Sequence, residues 1–325
     1  MKPLLQSLAL RLAQSLGLVL AVVVLNFALI HAAPGDPVET IAGASGGMSD
    51  ALKAELRRDY GLDRPWAVQL GHYLAKVATG DLGFSYFFNL PVTALIAERV
   101  PATLLLVSAA VLGAFTIGTT LGVLSSRRPN GWLSQGINLL SLVGFAAPVF
   151  WTGILLIILF AGLWPLFPVS DMRSLDAPTT GWAGLLDVLH HLVLPALTLG
   201  LVYLAQYSRL ARASMLEVLG SDYIRTARAK GLAEGPVLYK HALRNAVLPV
   251  ITILGLQFGN VMAGAIVVET VFNWPGLGRL AFEAVMRRDY PTILGVLLFS
   301  ALVVLVMNQA TDAVYRLIDP RIQRR

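Results

Sequence analysis

Long apolar stretches alternate with short clusters of charge along this chain. No Asp, Glu, Lys or Arg occurs in 12–35, 100–126, 129–170, 188–208, 245–268 or 290–311. Each gap has room for the ~20 apolar residues that cross a bilayer core. The pattern predicts spanning helices at 12–33, 102–125, 136–162, 192–212, 246–268 and 291–315. Helices are the expected form, because the short alternating segments of a barrel are missing. The third gap exceeds one span, and Trp164, Pro165 and Pro168 mark where its helix gives way to loop. The first helix ends in Ala32-Ala33, as a cleaved signal peptide would. Its apolar run is longer than a signal's ~7–15 residues, and Pro34 follows directly, so the helix is read as retained. The predicted fold is an all-α integral membrane protein with six spans.

Composition agrees with this pattern. Of 325 residues, 56% are hydrophobic and 14% charged, against about 25% charged in soluble domains. The absence of cysteine excludes disulfides and thiolate metal sites. The net charge of +6 needs no nucleic acid to explain it, because basic residues gather at a membrane's inner face.

Charge also sets the orientation. Lys2, Arg11, Arg127, Arg128, the basic 209–244 segment, and the tail residues Arg316, Arg321, Arg324 and Arg325 fall on one side if there are six crossings. The other side holds Asp171, Asp176 and Asp187 against Arg173, together with a balanced 269–289 loop in which Glu269 closes the fifth helix at the interface. The positive-inside rule places both termini in the cytoplasm. The chain then divides into a cytoplasmic N-terminus with the first helix (1–33), an extracytoplasmic cap (34–100), and a transmembrane domain (101–325) carrying a cytoplasmic loop at 213–245.

The cap opens on Pro34-Gly35-Asp36-Pro37, a rigid turn, followed by a small-residue loop from 43 to 47. A helix is predicted over 48–60, with Ser49 as its cap and Leu52 and Leu56 on one face. A second is predicted over 65–79, ending before the turn Gly80-Asp81-Leu82-Gly83. Two roles fit this segment: a plain lid on the helix ends, or a docking surface for an external protein.

The most informative stretch runs from 208 to 252. Arg209, Arg212, Arg225, Arg228, Lys230, Lys240 and Arg244 stand there against Glu217, Asp222 and Glu234. Ser221 or Asp222 can cap a short helix through Lys230. Gly231 then ends it, with the acid and the bases placed to suit the helix dipole. Pro236 restarts structure, and 237–245 is a further helical stretch leading into the membrane. This short helix could rest on anionic lipid or face a soluble partner. Tyr223, Ile224 and Ala227 give it only a narrow apolar face.

Polar residues within the spans are Asn26, Asn138, Gln206, Gln257, Asn260, Asn308, Gln309 and Asp312. Most are expected to hydrogen-bond between helices. Gln257 and Asn260 share a helical face that meets Gly264 one turn on, which makes these three the candidate pathway lining. Asp312 and Arg316 form an i,i+4 pair of structural type. The adjacent His190 and His191 point in different directions, and with no H-E-x-x-H motif no metal site is expected. No catalytic constellation and no G-x-x-x-x-G-K-[ST] nucleotide loop is present.

Several motifs occur in order along the chain. They are Pro34-Gly35-Asp36-Pro37; Tyr60-Gly61-Leu62-Asp63-Arg64-Pro65; Gly80-Asp81-Leu82-Gly83-Phe84-Ser85; Asp222 through Leu232; His241-Ala242-Leu243-Arg244-Asn245 with Leu248-Pro249; Phe272 through Leu280; and Arg288-Asp289-Tyr290-Pro291. Together they resemble the permease subunits of ABC importers, in the dipeptide/oligopeptide family. The 222–232 segment resembles that family's cytoplasmic "EAA" loop. It departs from the general pattern in having Arg225-Thr226-Ala227 and no Glu, and its Gly-to-Pro interval is longer than in sugar importers.

The resemblance implies a coupling helix seated in a groove of a cytoplasmic ATPase. Asp222, Tyr223, Arg225, Thr226, Ala227, Arg228, Lys230, Gly231 and Leu232 would form it. Arg225, Arg228 and Lys230 would make polar contacts with the ATPase, and Gly231 would allow the close approach. The implied partners are a homologous second permease subunit, two ATPase subunits that carry ATP and Mg, and an extracytoplasmic solute-binding protein. This chain would bind no cofactor and catalyse no reaction, and its location would be the bacterial inner membrane. The implied cargo is a di- or oligopeptide, with nickel chelates, glutathione or an opine as alternatives within the family. The alternative from another class is an ATPase-independent secondary transporter. An inverted repeat or an intramembrane charge relay would mark one.

Overall fold

The computed structural model describes residues 2–32, 38–39, 42, 47, 49–59, 64–176, 178 and 180–318. The motifs at 34–37 and 60–63, most of the small-residue loop at 43–47, and Arg321, Arg324 and Arg325 lie outside the described residues. The chain forms two units, Met1–Pro101 with Arg279–Val306, and Ala102–Gly278 with Met307–Arg325.

The first unit contains α1 (Lys2–Ala32), α2 (Asp50–Asp59), α3 (Trp66–Ala78), and an antiparallel pair β1 (Phe84–Ser85) and β2 (Leu90–Pro91). It also holds the start of α4 (Val92–Ser126), most of α11 (Leu277–Arg287), and α12 (Tyr290–Ile318) as far as Val306. Ser49 caps α2 as expected, its Oγ accepting the Leu52 N–H at 3.3 Å. Asp289 ties the β-turn to the start of α12. Its Oδ2 accepts from the Ser85 hydroxyl at 2.5 Å and from the Thr292 hydroxyl at 2.6 Å. Asn26 is buried in α1 and donates to the Leu294 carbonyl at 3.2 Å.

The second unit contains the rest of α4, α5 (Trp132–Ala146), α6 (Val149–Leu163), α7 (Gly181–Leu219), α8 (Asp222–Ala229), α9 (Glu234–Ala246) and α10 (Leu248–Val271). Its core brings Leu106, Ala110 and Val111 of α4 against Leu194 and Leu199 of α7 and Val261 and Ala265 of α10. Gly118 and Gly122 let α4 meet the α7 backbone directly. A Cβ on Gly122 would stand 2.5 Å from the Ser208 carbonyl oxygen and 2.7 Å from Ala211 Cβ. One on Gly118 would stand 2.7 Å from the Leu204 oxygen. Small residues at such spacing are how membrane helices approach closely.

Among the described residues, α4, α7 and Tyr290–Gln309 of α12 are long and apolar enough to cross a membrane. Glu234–Ala246 with Leu248–Leu254, bent by 44°, makes a fourth if the pair is one span. The helix predicted over 136–162 is broken at Ala147-Pro148, where Pro148 is extended (ψ 138°) and proline drives the preceding residue out of the helical region. Conversely, α4 starts at Val92 and runs through Pro101, and α7 runs from Gly181 to Leu219 with Pro195 inside it as predicted, so those helices exceed the predicted 102–125 and 192–212. The 269–289 segment, read as loop, carries α11, with Leu277, Leu280 and Ala284 buried at helical spacing.

Candidate functional site

The 213–245 segment folds as a compact hairpin of helices. Residues 213–219 complete the last turns of α7, α8 follows, and α9 returns toward α10. Ser221 stands at the N-cap position of α8 but makes no cap bond. Its hydroxyl turns back to the Val218 carbonyl at 2.6 Å. Asp222 therefore supplies the favourable negative charge at the start of α8, within its first turn. The helix end is a Schellman motif: Gly231 N–H donates to Arg228 O at 2.9 Å and Leu232 N–H to Ala227 O at 3.4 Å. Gly231 has φ +78°, where a Cβ would strain the backbone although it would meet no atom within 4 Å.

The apolar side of α8 faces its own chain. Ile224 and Ala227 are buried with Val123 of α4, Met215 of α7, and Val237, Leu238, Ala242 and Ala246 of α9. Asn245 Nδ2 donates to the Tyr223 hydroxyl at 2.8 Å and adds a polar tie. Ile224 and Ala227 are thus unavailable to lipid, and α8 keeps no apolar face with which to lie on a membrane. The opposite side is open: Asp222, Tyr223, Arg225, Thr226, Ala229, Lys230, Gly231 and Leu232 are all exposed.

Three of the candidate charges, Asp222, Arg225 and Arg228, have intramolecular partners. Arg225 pairs with Asp222 at 3.2 Å, both largely exposed. Arg228 reaches out of α8 to Glu234 as a fork, Nε to Oε1 at 2.9 Å and Nη2 to Oε2 at 3.3 Å. A planar guanidinium matches a carboxylate in this bidentate way, and the fork closes the turn between α8 and α9. The pairing of Arg228 depends on Glu234, six residues on, which helical spacing does not reveal. Lys230 is the cation nearest Gly231 on the exposed side.

Within the helices, Gln257 is buried and its Nε2 donates to Gln206 Oε1 at 2.7 Å, joining α10 to α7. The side chain of Asn260 and the surroundings of Gly264 lie outside the described residues, as do the side chains of Asp312 and Arg316. The two histidines part as expected: His190 Nε2 bonds the Leu166 carbonyl at 2.7 Å and His191 Nδ1 the Asp187 carbonyl at 2.8 Å.

A second constellation escaped the sequence reading. Glu269, expected at the interface, is fully buried. Its Oε1 accepts from the Thr103 hydroxyl at 2.6 Å, and Thr103 Oγ1 in turn accepts the Leu277 N–H at 2.7 Å. Gly276 and Gly278 press on it so closely that a Cβ on Gly276 would fall 2.2 Å from the carboxyl carbon. Trp274, buried beside it, donates from Nε1 to the Ala102 carbonyl at 2.8 Å. The glycines flanking Leu277 were the available signal, because glycine is required where backbone approaches another group this closely.

Comparison with known proteins adds independent findings. Residues 118–324 match the family described as binding-protein-dependent transport system inner membrane component, and residues 4–107 match the corresponding N-terminal family. The chain is 41% identical over 339 residues to the dipeptide transport system permease protein DppB of Escherichia coli (strain K12), covering 99% of this chain and 100% of that protein. It is 40% identical over 314 residues to the oligopeptide transport system permease protein AppB of Bacillus subtilis (strain 168), covering 96% and 98%. Among solved structures, an inward-facing form of the MetNI methionine ABC transporter shares the fold, with TM-score 0.54 and 17% identity over 69% of this chain and 96% of that one.

Proposed function

The chain belongs to the binding-protein-dependent transport system inner membrane component family, and on that premise we propose that it is a membrane-spanning subunit of an ATP-driven importer of di- or oligopeptides. The cargo follows from relatives that are dipeptide and oligopeptide permeases along nearly their whole length. In this reading the chain crosses the inner membrane six times with both termini inside, and the segment 34–100 lies outside. A second permease subunit, two ATPases and a solute-binding protein complete the complex. ATP and Mg reside on the ATPases, and this chain binds no cofactor and is not itself an enzyme.

One observation carries the mechanism. The apolar side of α8 is packed into its own helix bundle while its polar side and Gly231 are exposed. A helix held this way acts as a rigid lever. Closure of the ATPase pair would push on Tyr223, Arg225, Thr226, Lys230, Gly231 and Leu232. The push would pass through Ile224 and Ala227 to α7 and α9, with the Arg228–Glu234 fork keeping the turn closed. The access change this drives would open a path past the α10 face of Gln257, Asn260 and Gly264.

The test is to isolate the tagged chain from its native membrane in gentle detergent and identify its partners by mass spectrometry. Recovery of a second permease subunit and of ATPases with nucleotide-binding loops is the expected result. Repeated recovery of a stable chain without any ATPase would overturn the reading.

A further inference from the structure

A cavity of about 760 Å³ opens where the α4–α5 turn meets the α8–α9 hairpin, lined among others by Leu124, Arg127, Arg128, Trp132, Arg228 and Glu234. Its charge is unbalanced. Arg228 and Glu234 neutralise each other through their fork, whereas Arg127 and Arg128 form no ion pair among the described residues. No acid occurs in the sequence between Glu98 and Asp171 to balance them. The remaining wall is Leu124, Gly131, Trp132, Leu219 and Leu238 with Ser125 and Ser126, whose hydroxyls donate to the Gly122 and Val123 carbonyls of their own helix, and its Trp132 side leads away along α5. Trp132 is 86% exposed, Gly136 one turn on has no atom of the described residues within 4 Å of where a Cβ would sit, and Leu139 and Leu142 are exposed beyond. Trp132, Gly136 and Leu139 share one face of the helix.

We propose that this cavity holds an acidic glycerophospholipid of the cytoplasmic leaflet, its phosphate on Arg127 and Arg128 and its acyl chains along the Trp132–Leu139 face of α5. Two unpaired arginines supply the anion site, and basic pockets at the cytoplasmic ends of membrane helices suit acidic headgroups. An indole at the interface and an apolar stripe beyond it suit glycerol and acyl chain. A free phosphate or nucleotide would use the arginines and leave the stripe idle. The cavity wall includes the fork that closes the α8–α9 turn, so the bound lipid would touch the coupling segment itself. The placement in the cytoplasmic leaflet rests on the orientation proposed above.

The test uses the purified protein, with whatever subunits accompany it, exchanged into mixed phosphatidylcholine and phosphatidylglycerol and read by native mass spectrometry for retained lipid. Preferential retention of phosphatidylglycerol is expected. About fivefold should be lost per arginine removed, hence roughly twenty-five-fold in R127Q/R128Q. R127K/R128K should retain most of the preference, and W132A should weaken retention with the charge unchanged. Excess inorganic phosphate should not displace the lipid. Equal retention of both lipids, an unchanged R127Q/R128Q, displacement by phosphate, or crosslinks showing an ATPase filling the cavity would overturn the inference. Labelling of N130C with an impermeant thiol reagent separates this outcome from the importer reading. Access from the cytoplasmic side without lipid preference removes the lipid site alone, while access only from outside removes the orientation on which both rest.

Discussion

Substitution at Gly231 distinguishes a backbone requirement from a steric one. The φ of +78° penalises an ordinary residue by about 1–2 kcal/mol, while Asn and Asp tolerate this region better. Among the described residues nothing beyond its chain neighbours lies within 4 Å of the added Cβ, so these present no clash. If Gly231 matters only for its backbone, Gly231→Ala is the most harmful change and Gly231→Asn and Gly231→Asp are mild. If a partner packs closely there, the larger side chains are overpacked at a cost of about 1–3 kcal/mol, and Asn and Asp become worse than Ala. We expect the second order. All three variants should reach the membrane at wild-type levels, and ATP-driven peptide uptake in proteoliposomes should fall roughly tenfold for Asp and Asn and less for Ala. Normal uptake by Gly231→Asp, or Ala as the worst of the three, would refute the close approach and with it the coupling assignment of α8.

Two further predictions concern the second unit. Gly122→Ala should lower the thermal midpoint of the detergent-solubilised protein, because its Cβ meets backbone at 2.5 Å and the overpacking costs about 1–3 kcal/mol; Gly136→Ala, in open space, should not. Thr103→Val should also destabilise by about 1–3 kcal/mol in the same assay, since it keeps the shape but strands the Leu277 N–H and removes a donor from buried Glu269. An unchanged midpoint would show that the Thr103 hydroxyl has no structural role.

Charge gaps located the apolar helices because charge cannot remain in hydrocarbon, but they measure the bilayer and not the helix. That is why α7 extends from Gly181 to Leu219 beyond its gap, and why α4 passes through Pro101. Proline was ambiguous for the same reason. Pro148 breaks a helix and Pro195 does not, and the outcome depends on neighbours that no local pattern contains. Gly231 was legible because a glycine after a short polar helix has one common use. The short helix at 222–230 was equally legible, with Ser221 turning back to α7 the one misread detail. The Glu269 constellation was not legible. Thr103 and Leu277 are 174 residues apart, and a glutamate at the end of an apolar run ordinarily signals exposure. Only the glycines at 276 and 278 hinted at contact.

The glycine crossing of α4 on α7 has a mechanical consequence. Most packed helices are separated by a layer of side chains that can change rotamer and slide. At Gly118 and Gly122 that layer is missing, and backbone rests on backbone. The two helices therefore form a stator, a fixed frame against which other parts can turn. Two places where helical geometry is interrupted within predicted spans are Ala147-Pro148 and the 44° corner before Leu248. On the coupling proposed above, a push on α8 would be taken up as rotation at those two joints.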